Sequence, residues 1–177
     1  MVNRAINIIV TNYDENWVQL FKNEANKIHE ILNDEIVEIH HIGSTAVPNL
    51  KAKPIIDIMP IVKDIEMVDA FNAKMIEIGY EPLGEFGISG RRFFRKGGEN
   101  RTHHVHMFQF DNDLEIERHL AVRDYLKIHK KDAIEYGELK ARLANEFPKD
   151  IEGYCDGKDE FVKNLERRAI EWRKGNK

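Results

Sequence analysis

An acid and two histidines in this sequence are spaced so that they could share a metal ion. Asp57 is the one carboxylate in the aliphatic run of residues 55–62, and His104 and His106 stand two apart in residues 101–110. Acids are seldom buried without a partner, so Asp57 either projects into a site or pairs with a base such as Lys53 or Arg91. Residues two apart on a strand share a face, which puts His104 and His106 side by side. Imidazoles suit Mn²⁺, Zn²⁺, Fe²⁺ or Ni²⁺ better than Mg²⁺, whereas Mg²⁺ is usually held by one or two carboxylates plus substrate oxygens. The expected cofactor is a divalent metal, Mg²⁺ or Mn²⁺ with Zn²⁺ as a further option, on Asp57, His104 and His106. Alternatively one histidine acts as general base on an acceptor hydroxyl. Asp57 and His106 are the candidate catalytic residues; His40 and His103 are read as ordinary polar groups.

A second chemistry is anion binding. Gly43-Ser44 closes the branched-aliphatic run 35–42 and is small enough to let a phosphate approach main-chain N–H groups. Alone, such a pair is an ordinary strand-to-loop turn. Arg91 shares a strand face with the histidines and is an anion ligand. Arg123, within an apolar helix, either pairs with Asp124 or reaches phosphates. Arg95 and Lys96 read as a solvated hairpin tip.

The elements that must hold these groups follow from hydrophobic period and breakers. A short strand is expected over residues 5–10, then strands at 35–42 and 55–62. Asp14 caps a helix carrying Trp17, Leu20, Phe21, Ile28, Ile31 and Leu32 on one face, laid on the sheet. Asp64 opens another helix, ended by Gly79, and residues 80–87 read as irregular. Residues 86–96 and 101–110 form a hairpin about Gly97-Gly98. A two-residue loop pairs Arg91 with His104, and a loop two residues longer pairs it with His106; either way Arg91, Phe93, His104 and His106 share a face. The Asp57 strand is expected between the Gly43-Ser44 strand and the His104–His106 strand, with Asp57 and His106 on one face. Three helices follow, starting at Asp113, near Asp132 and near Asp159, with 150–158 as a loop.

The order strand, Gly43-Ser44, about a dozen residues, then a strand carrying Asp57, resembles the nucleotidyltransferase superfamily that includes polymerase beta. The wording His41-Ile42-Gly43-Ser44-Thr45-Ala46-Val47-Pro48, with Lys53-Pro54 and Asp57, is similar to one branch of it, the GrpB family. That likeness continues through Arg123-Asp124-Tyr125-Leu126, Tyr136-x-x-Leu139-Lys140 and Tyr154-x-x-x-Lys158, so it covers nearly the whole chain. It implies a phosphate or nucleotide site at Gly43, Ser44 and Thr45, with Lys53 and Lys158 as further contacts. The chain departs from the superfamily at Met59, where a second metal-binding carboxylate is usual. It departs again at His103-His104-Val105-His106, where a strand usually supplies a third acid. His104-Val105-His106 is not a histidine-triad hydrolase motif, because Phe108 takes the third place.

At 177 residues, 42% hydrophobic and 33% charged, the chain reads as one globular domain, with an α/β core over 1–112 and a helical part over 113–177. The net charge of −4 argues against general nucleic-acid binding. Cys155 stands alone and no run suits a signal peptide or a membrane span, which together place the chain in the cytoplasm. The fold expected is α/β (α+β): a nucleotidyltransferase-like mixed sheet with packed helices and a helical C-terminal part. The function expected is metal-assisted nucleotidyl transfer to a small-molecule or protein hydroxyl. The alternative is a non-catalytic nucleotide- or coenzyme-A-precursor-binding module. The partner in both is a nucleotide or other phosphate-containing small molecule.

Overall fold

Branched aliphatics between turn residues build the strands, and the structure, a computed structural model describing residues 7–176, gathers them into one of two compact units. The sheet unit comprises residues 15–42 and 55–116; the helical unit comprises residues 7–14, 43–54 and 117–176.

The sheet unit contains β1 (Ile36–Ile42), β2 (Ile56–Val62), β3 (Tyr80–Pro82), β4 (Arg91–Lys96) and β5 (His103–Gln109), in the order β1-β2-β5-β4-β3. β2 and β5 are parallel and the other pairs antiparallel. Ile56, Ile58, Ile61 and Val62 are all buried, which makes β2 the centre of the core. α1 (Asn16–Leu32) packs on β1 and β2, burying Trp17, Ile28 and Leu32, while Leu20, expected to face inward, is exposed. Glu15 rather than Asp14 holds the cap position, without a side-chain bond, so this helix depends on its buried face. Asp64 does cap, accepting from the Glu66 N–H at 3.0 Å, but a 3-10 stretch (Ile65–Phe71) precedes α2 (Asn72–Glu77).

Glu24 interrupts the apolar stripe of α1 and is 4% exposed. It accepts from Tyr80 Oη at 3.0 Å and Lys96 Nζ at 2.7 Å, tying the helix to β3 and to the loop end of the β4–β5 hairpin.

Strand β3 and the hairpin register also differ from expectation in this unit. Residues 80–82 are strand, with Tyr80 opposite Lys96; the strand is short and lies at the sheet edge, where Pro82 removes no needed donor. The hairpin register also differs from both alternatives. Lys96 pairs with His103, leaving the six residues 97–102 in the loop, so Phe93 faces His106 and Arg91 faces Phe108. Thr102 N–H donates to the Lys96 carbonyl at 2.9 Å and Asn100 N–H to the Gly97 carbonyl at 2.9 Å, closing a wider loop than Gly97-Gly98 alone would make. The parity is unchanged, because the shift is by an even number of residues.

Gly97 fixes that register. Its φ is 106°, and a Cβ there would lie 2.2 Å from the Asn100 carbonyl oxygen and 2.9 Å from the Thr102 nitrogen. Main-chain atoms cannot rotate aside, so Gly97→Ala should destabilise by about 2 kcal/mol or more. Gly98→Ala, with nothing within 4 Å of the added methyl, should cost less. Urea denaturation of the two variants checks the ranking.

In the helical unit, α4 (Lys130–Glu146) and α5 (Ile151–Gly175) join the C-terminal part of α3 (Asp113–Ile128). Asn112, not Asp113, supplies the α3 cap, accepting from the Glu115 N–H at 3.4 Å. Val47, Leu50, Ala121, Tyr125, Leu126, Leu165 and Ala169 form the main core of this unit. The loop expected over residues 150–158 is helix instead. Asp150 caps it by accepting from the Gly153 N–H at 3.0 Å, and Gly153 and Gly157 serve clearance: a Cβ would meet the Phe147 ring at 2.5 Å and Leu143 Cδ2 at 2.4 Å. The strand expected over 5–10 lies partly outside the described residues. From residue 7 to 10 there is no strand, and Thr11 makes only an isolated bridge to Ala52. Among the described residues no helix is long and apolar enough to cross a membrane.

Candidate functional site

Period-two alternation places Asp57 on the same sheet face as its β5 neighbours His104 and His106, and Asp57 is directly opposite His104 in the ladder. His106 Nε2 is 3.0 Å and His104 Nδ1 3.6 Å from the same oxygen, Asp57 Oδ1. One ligand atom from each residue lies within 4.8 Å of the others. Ligands about 2.1 Å from one ion stand roughly 3.0–3.4 Å apart, so the three groups are close to the spacing that sharing one requires. The side chains are 27% (Asp57), 26% (His104) and 13% (His106) exposed, enough for an ion or substrate atom to reach them. Burial works to raise the Asp57 carboxyl, but hydrogen bonds from His104 and His106, with their charge, hold it well below the usual carboxylate range.

Phe93 walls this face, its ring 5.4 Å from His104 and 5.2 Å from His106, and Phe86 stacks on it at 5.2 Å. Arg91 is 6% exposed. Its guanidinium lies over Phe93, donates to the carbonyls of Glu85 and Phe86, and sets Nη1 3.4 Å from His106 Nδ1. Met59, two residues beyond Asp57 on β2, is fully buried and offers no carboxylate. Of the other histidines, His40 bonds Glu38 at 2.9 Å, His41 stacks on Phe21, and His103 bonds Thr102 at 2.8 Å.

The phosphate candidates other than Arg91 belong to the helical unit. Gly43 has φ 73° and ψ −172°, a conformation reserved for glycine. Ser44, Thr45 and Ala46 then form a 3-10 turn. Thr45 is buried, and Ser44 Oγ accepts from Lys140 Nζ at 2.7 Å. Lys140 is 3% exposed and lies over the Tyr136 ring at 4.3 Å. Lys53 and Lys158 both lie over Tyr154, at 5.1 and 5.3 Å. The Tyr154 hydroxyl is buried without a hydrogen-bond partner among the described residues, and burial pushes its pKa up. Arg123 pairs with Asp124 at 2.8 Å, whose other oxygen is held by Arg173.

Lys140 and the Tyr154 hydroxyl escaped the sequence reading. Both sit in the motifs Tyr136-x-x-Leu139-Lys140 and Tyr154-x-x-x-Lys158. Nothing in the linear sequence says that a lysine 96 positions from Ser44 will meet its hydroxyl.

A family model described as GrpB protein matches residues 7–168. The UPF0157 protein YqkA of Bacillus subtilis is 48% identical over 172 residues, 97% of this chain and 49% of that protein. The chain thus spans about half the length of this curated relative. The crystal structure of the conserved protein GrpB from Enterococcus faecalis superposes with a TM-score of 0.91 at 50% identity, covering 93% of this chain and 99% of that one. Cid1 in complex with the UTP analogue UMPNPP superposes with a TM-score of 0.51 at 13% identity, covering 75% of this chain and 43% of Cid1. The fold is therefore α+β and nucleotidyltransferase-like, with a helical C-terminal part, as the sequence resemblance implied.

Proposed function

This chain belongs to the GrpB family, and for it we propose metal-assisted nucleotidyl transfer to a hydroxyl of a small molecule or protein. The observation that carries the reading is the convergence of Asp57, His104 and His106 ligand atoms within 4.8 Å. Two imidazoles and one carboxylate form a donor set for Mn²⁺ or Zn²⁺ ahead of Mg²⁺. A bound divalent ion supplies charge stabilisation on phosphate oxygens. His106, hydrogen-bonded to a carboxylate that stays ionised, would be the general base for an acceptor hydroxyl only where neither an ion nor Arg91 occupies its accepting ring nitrogen. In the helical unit, Ser44 and Lys140 are proposed to bind phosphate oxygens, with Gly43 and Thr45 shaping the turn and Lys53 and Lys158 adding positive charge beside Tyr154. The nucleotide seen with Cid1 supports a nucleotide as the ligand class.

Incubation with each nucleoside triphosphate labelled at the α-phosphate, in the presence of Mn²⁺, tests transfer: label should pass to an acceptor hydroxyl and require Asp57. Lys140→Met should weaken nucleotide binding by about tenfold or more while sparing metal affinity, since a charge-assisted hydrogen bond is worth about 1.5–3 kcal/mol. Fluorescence titration with a nucleotide analogue checks it.

Met59 favours a second reading. With a buried thioether at the position of the second carboxylate, Asp57 is the one acid in the cluster, and transfer that relies on two bridged ions lacks a ligand. The chain would then be a non-catalytic nucleotide- or coenzyme-A-precursor-binding module. Nucleotide binding without any label transfer selects it.

A further inference from the structure

Arg91 aims a donor at a ring nitrogen of one of the proposed ligands. Its Nη1 is 3.4 Å from His106 Nδ1, while Nε donates to the Glu85 carbonyl at 3.1 Å and Nη2 to the Phe86 carbonyl at 2.7 Å. A guanidinium carries only N–H donors and keeps its proton in proteins. In the neutral ring, His106 Nδ1 is therefore the accepting nitrogen, and the proton sits on Nε2, from which it donates to Asp57 Oδ1 at 3.0 Å. Nε2 is also the atom that His106 turns toward the carboxylate, and so toward any ion held there.

Metal ligation needs the opposite tautomer. An ion takes the lone pair of a deprotonated nitrogen, so a neutral His106 ligating through Nε2 must carry its proton on Nδ1. In metal sites that second N–H ordinarily meets a carboxylate, a carbonyl or water. Here it would meet a guanidinium N–H. The arrangement Asp57–His106–Arg91 is thus complete without an ion and incompatible with one unless Arg91 leaves His106.

We propose that Arg91 is a latch on this site: it holds His106 in the Nε2–H tautomer against Asp57, and an ion is admitted only when Arg91 swings away. As far as the ion is concerned, the proposal rests on the metal reading of Asp57, His104 and His106; the tautomer does not. The segment that grips Arg91 is built from unusual backbone. Gly84, Gly87 and Gly90 have φ of 62°, 90° and 80°, and Phe86 has φ 48°, which side-chain-bearing residues seldom adopt. Phe86 is 55% exposed and stacked on Phe93, the same ring that Arg91 covers. Displacing Arg91 therefore also releases the Glu85 and Phe86 carbonyls, so metal uptake is coupled to the 84–90 segment. Arg91 acts as a positioning residue.

Two measurements test the latch. The first is a long-range ¹H–¹⁵N correlation spectrum of the metal-free protein labelled on histidine, at mildly alkaline pH, with His106 assigned by His106→Gln. The wild type should show the Nε2–H pattern, and Arg91→Gln, whose amide oxygen can accept from Nδ1–H, should move it toward the Nδ1–H pattern. The second is Mn²⁺ affinity, which should rise about tenfold in Arg91→Gln, the scale on which outer partners tune a metal site. A wild-type Nδ1–H spectrum overturns the latch, and it does so even if the variant fails to fold. Unchanged or weaker Mn²⁺ binding in a folded Arg91→Gln overturns it as well. Absence of Mn²⁺ binding in both proteins removes the metal reading and the latch with it, and an Nε2–H spectrum that moves toward the Nδ1–H pattern in Arg91→Gln then still assigns the tautomer to Arg91.

Discussion

Asp57→Asn should weaken Mn²⁺ and Zn²⁺ binding at least about a hundredfold, the upper end of what is lost when even an outer partner of a metal site is changed. The carboxylate is the one anionic group in the cluster, and it is also what orients both rings: His104 Nδ1 and His106 Nε2 converge on its Oδ1. An amide of the same shape lacks the charge, and its NH₂ would present a donor where a ring N–H already points. Titration calorimetry at fixed pH checks this. If Asp57→Asn binds Mn²⁺ as the parent does, Asp57 is only the acceptor of the histidines and the non-catalytic reading takes the lead. His106→Ala should also lose the ion, whereas Ser44→Ala should keep it and weaken nucleotide binding.

The second large effect concerns stability. Glu24→Gln should destabilise by about 2–3 kcal/mol at neutral pH, because removing one partner of a buried ion pair leaves the other uncompensated; partial exposure of Lys96 keeps the figure below the fully buried range. Burial tends to raise the Glu24 carboxyl, but Lys96, His103 and Tyr80 outweigh it and hold the group below its ordinary value of 4.5. A lowered folded-state value means the stabilisation is fully present above that ordinary value and fades as pH falls through the lower one. The gap between wild type and Glu24→Gln should therefore be widest near neutrality and close in acid. Urea denaturation across that range measures it, and a gap that widens on acidification contradicts the assignment.

Strand alternation made much of the site legible. Asp57, His104 and His106 were expected on one face, with the Asp57 strand between its neighbours, and β1-β2-β5 has that order. A shared face depends only on parity, which the observed hairpin register preserves. The register itself was hidden because Gly97-Gly98 looks like a tight turn, whereas a carbonyl three residues on occupies the space a Gly97 side chain would need. Gly153 and Gly157 misled in the same way. Glycine reads as a helix breaker, yet here it lets α5 approach Phe147 and Leu143, information that belongs to another helix. Glu24 could not be foreseen inside an apolar stripe, since Tyr80 and Lys96 lie 56 and 72 positions away. Met59 and the histidines in place of acids were visible from the start, and they set this site apart from an all-carboxylate one.

Pulsed electron paramagnetic resonance of the protein loaded with one equivalent of Mn²⁺ tests the shared ion most directly, because couplings to ¹⁴N count the coordinated imidazoles. The wild type should show two, His104→Gln and His106→Gln one each, and the double variant none. A spectrum without imidazole nitrogen, or one that the histidine substitutions leave unchanged, would contradict a metal centre at Asp57, His104 and His106.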